Sequence, residues 1–167
     1  MIRISMTIMF ALLLIIAAGA VVGAEMAKEG SGTGITYYTS TSQILAQGKV
    51  SFVMNYDARG VSGTDDEASP FYKASCQCVG SYRGVKGEFK ELGLCTYTRP
   101  DGDQIYMSYE AAGKVGTPVK GAYTLDGGIG KFTGVTGSGE FTRISLKGPA
   151  EGIGASVTKS TGSWKIP

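Results

Sequence analysis

Gly127-Gly128-Ile129-Gly130-Lys131-Phe132-Thr133-Gly134-Val135-Thr136-Gly137-Ser138-Gly139-Glu140-Phe141 is the stretch on which the reading of this chain turns. Its glycines, Gly127, Gly128, Gly130, Gly134, Gly137 and Gly139, alternate with the apolar anchors Phe132, Val135 and Phe141. Glycine lets a chain turn tightly and pass close to a sheet, so the segment reads as a turn, a compact excursion over one end of a β-structure, and the start of a strand. A phosphate cradle is excluded. Phe132 follows Gly130-Lys131 where a P-loop needs Ser or Thr, and Leu125 occupies the position of its first Gly. The dinucleotide pattern read from Gly128 ends on Thr133 instead of Gly, so no cofactor site is expected.

Working outward, strand-like segments recur at the short spacing of a barrel or sandwich. Ile35 to Leu45 is rich in Thr and Tyr. In Lys49 to Asp57, Val50, Phe52, Met54 and Tyr56 fall on one face, with Ser51 and Asn55 on the other. Gly60 to Pro70 reads as a solvated loop, then Phe71 to Tyr82 and Gly87 to Thr98 as strands joined by a turn at Arg83–Lys86. Pro100-Asp101-Gly102-Asp103 is a turn, because Pro presets φ and Gly accepts the left-handed position. Gln104 to Ala112, Val119 to Leu125, Gly139 to Leu146 and Ala155 to Ile166 complete about eight strands. A closed barrel and a two-sheet sandwich both satisfy this pattern.

The N-terminus belongs to a different class of segment. Arg3 is the first charge and Glu25 the next; Ile4 to Val22 is almost wholly apolar, and Val22-Gly23-Ala24 is a small-residue exit. That is the layout of a secretory signal cut after Ala24. An uncleaved membrane anchor is the competing reading, since the run approaches the roughly 20 residues that span a bilayer. The expected organisation is a signal peptide at residues 1–24, a flexible leader at 25–34 and one β-domain at 35–167, in an exported protein of the periplasm or exterior.

Composition removes several functions. The chain has no His, which takes away the usual general base and the commonest metal ligand, and no metal site is expected. Lys and Arg are scattered at a net charge of +2, so nucleic acid is not an expected partner. Charges such as Lys73, Glu88 and Glu110 on outward strand positions argue against an outer-membrane barrel; membrane contact is expected only through an uncleaved signal. Oligomeric state is not readable.

Three cysteines remain: Cys76, Cys78 and Cys95. In an exported protein a disulfide is the default. Cys76 and Cys78 share one face of a strand, and Cys95 falls opposite on the next, so either can pair with Cys95 and one thiol is left over. The single residue between Cys76 and Cys78 is too short for common zinc spacing.

The glycine-rich segment resembles the G-G-x-G-x-F-x-G-x-x-G-x-G stretch of bacterial exported proteins of the allene oxide cyclase barrel-like group, a calycin-like fold that plant dirigent proteins share. Cys95 with Asp101-Gly102-Asp103-Gln104-Ile105-Tyr106, and Gly162-Ser163-Trp164-Lys165-Ile166, are similar to bacterial members too. Ile129 departs from the usual Thr of that group. The resemblance covers Phe71 to the C-terminus and implies a single antiparallel eight-stranded β-barrel. It assigns no catalytic residue, because fold alone does not deliver chemistry.

Two functions follow as expectations. The first is a binding protein or scaffold for a small apolar molecule, with Tyr37, Tyr38, Tyr56, Tyr72, Tyr106, Tyr109 and Tyr123 as rings that either line a cavity or fill the core and clothe the exterior. The second is an isomerase or cyclase acting on an apolar substrate, with Asp57 and Arg59 beside Asp65 and Asp66 at a barrel mouth.

Overall fold

The computed structural model describes residues 27–167; the segment read as a signal, residues 1–24, lies outside them. Eight strands follow in order: β1 Glu29–Gln47, β2 Ser51–Ser62, β3 Ser75–Val85, β4 Glu88–Thr98, β5 Gln104–Lys114, β6 Val119–Ile129, β7 Thr136–Leu146 and β8 Gly154–Lys165. Each pairs antiparallel with its chain neighbour, and β8 returns to pair with β1, Tyr37 lying opposite Val157. The sheet is therefore closed, and the sandwich alternative falls. Closure removes the free edges that an open sheet would expose.

Period-two alternation sorts the side chains. On β2 the even-numbered residues from Phe52 to Ser62 face inward, and on β5 the odd-numbered Ile105, Met107, Tyr109 and Ala111 do. The β3–β4 hairpin turns on Lys86 and Gly87, both with positive φ (52° and 84°), as the two-residue turn that matches strand twist requires.

Two expectations need correction. Residues 29–34, read within a flexible leader, are the first part of β1, paired with β8 from Glu29 opposite Lys165 to Gly34 opposite Ser160. Local glycine content argues against a strand there, but the Trp164 ring packs over Gly30, where an added Cβ would lie 2.6 Å from it. Phe71 to Lys73, read as strand, belong to the connection before β3, and Lys73 has a positive φ of 47°. The Phe71 ring instead packs edge-on against Tyr97, 5.0 Å between centroids.

The glycine-rich stretch does three jobs in turn. Gly127 and Gly128 end β6 with a bulge against Tyr106–Met107, a single 3-10 turn follows at Gly130–Phe132, and Gly137 and Gly139 lie in β7 where β8 carbonyls approach too closely for a side chain. Phe132 and Val135 are driven into the barrel end at 0% and 1% exposure, beside Ile105 at 1%. The excursion caps part of that end.

Candidate functional site

The interior is built from two unlike walls. The inward residues of β2 to β6 are large: Met54, Tyr56, Tyr82, Tyr97, Met107, Tyr109 and Tyr123 among them. Apart from Tyr38 and Trp164, those of β8 and β1 are mostly small, many of them hydroxyl-bearing, including Gly32, Gly34, Thr36, Ser40, Ser156, Thr158 and Ser160. Large side chains on one wall face small ones on the other, so the barrel is not filled. A cavity of about 550 Å³ remains, within the size range of small-molecule sites.

The crowded wall holds a buried polar network. Glu91, inward on β4, has a side chain wholly removed from solvent, and it forms an ion pair with Arg143 of β7. Arg143 Nη2 donates to Glu91 Oε2 and to the Tyr82 hydroxyl. Tyr56 donates its hydroxyl proton to Glu91 Oε1, so at the Tyr56–Tyr109 hydrogen bond it is Tyr109 that donates. The opposed glycines Gly80 and Gly93 leave room for these hydroxyls, since any Cβ there would collide with Tyr109. Among the described residues no protein hydrogen bond engages Nε or Nη1 of Arg143. The guanidinium also lies 5.7 Å from the Tyr82 ring centre and 5.9 Å from that of Phe141.

Burial governs the proton affinities. It pushes the Tyr109 hydroxyl up to about 12, although the Tyr56 hydrogen bond works the other way. Tyr56 and Tyr82 are raised further, first by burial; Glu91 adds to both, while Arg143 partly opposes the rise at Tyr82. Burial works against the Arg143 charge, but the hydrogen bond and charge of Glu91 outweigh it and the group stays protonated. The site thus presents neutral phenols around a compensated ion pair. A second phenol pair, Tyr38 and Tyr97, is hydrogen-bonded at 2.9 Å.

Cys78 and Cys95 sit opposite one another on β3 and β4 and are joined by a disulfide that lines the cavity; Cys76 is the remaining buried thiol, pushed up to about 11 by burial. Of the two pairings open from spacing, the register selects this one.

Of the four expected mouth residues, Asp66 lines the cavity from the β2–β3 connection, while Asp57, Arg59 and Asp65 do not. Asp57 and Arg59 are odd-numbered on β2 and face outward, 3.8 Å apart, with Arg59 three-quarters exposed and neither lining the cavity. Of the tyrosines singled out, Tyr38, Tyr56, Tyr109 and Tyr123 line the cavity, whereas Tyr37 and Tyr106 are on the exterior and Tyr72 is in the β2–β3 connection. Sequence reading missed Glu91, Arg143, Tyr82 and Tyr97. The signal was present: in Phe89-x-Glu91-x-Gly93-x-Cys95-x-Tyr97 a carboxylate occupies the apolar phase of a strand.

No protein-family model and no curated protein sequence matches the chain. Among solved structures it is similar to that of a pterocarpan synthase dirigent protein, with a TM-score of 0.52 at 14% identity, over 84% of this chain and 91% of the other. The fold is dirigent-like. At that identity the likeness carries the architecture of the dirigent-like barrel alone.

Proposed function

We propose that this exported dirigent-like barrel binds a small, largely apolar molecule inside its cavity, holding it as a carrier or scaffold. The observation that carries the reading is the mismatch of the two walls, which leaves about 550 Å³ between aromatic rings and a hydroxyl-lined strand pair. Rings supply apolar contact, while hydroxyls and the free face of Arg143 supply a few hydrogen bonds, the usual composition of a ligand site. Because Glu91 already balances Arg143, a neutral oxygen acceptor on the ligand suits the site better than a full anion. Export is supported by the Cys78–Cys95 disulfide, a bond that persists in oxidising compartments.

Trp164, the single tryptophan, lines the cavity and reports on occupancy. Titration with the apolar fluorophore N-phenyl-1-naphthylamine, then displacement by a panel of aromatic ketones and phenols, is expected to change Trp164 emission and raise Tm. An unchanged emission and Tm across the panel rejects the reading.

A second reading, an isomerase or cyclase acting in the same cavity, is favoured by one observation: a carboxylate–Arg pair beside neutral phenols in a shielded pocket. It requires product to appear on incubation with a bound ligand, and Arg143→Gln to abolish that conversion while Arg143→Lys keeps part of it. Binding without conversion leaves the carrier.

A further inference from the structure

The two ends of the barrel differ in the make-up of their connections. At the end holding the 3-10 turn, Phe132 and Val135 are buried, and the connections expose four acids, Asp65, Asp66, Glu67 and Asp101, against Lys73 and Lys131, the latter tied to Asp101 at 2.6 Å. At the other end all four connections repeat one motif, an aliphatic residue next to a lysine: Lys49-Val50, Val85-Lys86, Lys114-Val115 and Leu146-Lys147. The aliphatics are 58%, 46%, 58% and 50% exposed in that order, and all four lysines are exposed. Ile44 and Leu45, at 63% and 70%, extend the apolar rim along the end of β1. Against these stand Glu88 and Glu151 at the same end. None of the four lysines is in an ion pair among the described residues.

We propose that this end is a docking surface for an anionic lipid bilayer. A ring of four loop tips is the geometry of a flat contact, not of a groove for a peptide. Each tip combines what an interfacial contact uses: an aliphatic side chain to enter the headgroup region and a lysine to meet lipid phosphate. Charge complementarity names the occupant, because an aliphatic rim alone would suit a second copy of the chain equally, whereas two copies joined end to end would bring their lysines together. The cavity lining runs to both ends, with Ser40, Ser42, Ser145 and Leu146 at this one and Thr64, Asp66 and Ser69 at the other, so a docked barrel turns one end of its interior to the bilayer. The inference rests on the loop tips and stands whether or not the cavity is ever occupied.

The test is vesicle co-sedimentation of the chain from Glu25 onward, which contains every strand of the closed barrel. Vesicles of phosphatidylcholine with about one-third phosphatidylglycerol are compared with phosphatidylcholine alone. Binding is expected to the anionic vesicles and to weaken with salt. Lys49→Glu with Lys86→Glu is expected to reduce it at least about tenfold, at roughly fivefold for each lysine near an anionic surface. Lys28→Glu with Lys165→Glu makes the same change in net charge at the opposite end and is expected to leave binding within about twofold. Val50→Asp with Val115→Asp is expected to lose binding while the disulfide and β circular dichroism are retained. Equal binding to both vesicle types, no binding, equal effects of the two charge pairs, or a Val50→Asp effect seen only in oligomeric state by light scattering overturns the proposal.

Discussion

Strands β3 to β5 and strands β8 and β1 build opposite sides of one barrel from different sets of residues. The first wall spends its inward positions on rings, a disulfide and a buried carboxylate; the second, apart from Tyr38 and Trp164, spends most of them on Gly, Ser and Thr. Both satisfy the same backbone pairing, so hydrogen bonding does not separate them. What separates them is what each contributes inside. The crowded wall holds Glu91 and the phenols that Arg143 of β7 reaches, and the empty volume lies between it and the barer wall. A domain that keeps a cavity of this size forgoes packing there and depends on the other side to hold its shape.

The contrast predicts unequal responses to substitution. The largest effect belongs to Glu91→Ala, which leaves Arg143 buried without its counter-charge and takes the acceptor from Tyr56; a loss of about 3–5 kcal/mol is expected in urea unfolding. A loss under about 1 kcal/mol would mean that the network is not what holds the crowded wall. Next, Cys78→Ser with Cys95→Ser opens a link between residues 17 apart and is expected to cost about 3 kcal/mol, lowering Tm without removing the barrel's circular dichroism.

The phenols give a smaller, pH-dependent effect. Tyr109 titrates at about 12 in the folded chain, against about 10 when unfolded. Because the folded value is the higher, the contribution is complete below about pH 10 and is lost as pH climbs toward 12. Unfolding free energy is therefore expected to fall more steeply above pH 10 in the parent than in Tyr109→Phe, and parallel curves would contradict the assignment. The smallest stability effect is expected on the bare wall. Ser160→Leu adds side-chain volume toward the cavity, so stability should change by less than about 1 kcal/mol while binding of the naphthylamine probe weakens at least about tenfold. A loss of several kcal/mol there would show that the wall is already full.

The same contrast explains what could be read in advance. Alternation grouped Phe52, Met54 and Tyr56 on the face that turns inward, because period two is a property of the strand itself, whereas Val50, placed on the same face, precedes β2 and is exposed. The Pro100–Asp103 and Gly127–Phe141 turns were legible for a similar reason, as Gly and Pro state their backbone needs locally. Residues 29–34 were not legible, since their strand is imposed by β8, distant in sequence. Asp57 and Arg59 drew attention as charges near a strand end, yet the same parity rule puts odd-numbered β2 residues outside.

From its own residues the chain determined a β-structure, the strand faces, the capping excursion and the choice of Cys95 as a disulfide partner, because these follow from local backbone preference and two-residue periodicity. Only the closed barrel decided that Glu91 meets Arg143, that Cys78 and not Cys76 takes Cys95, and that a cavity survives between unlike walls. Those outcomes depend on which strands face each other across the barrel and in what register, a long-range geometry that no short segment encodes.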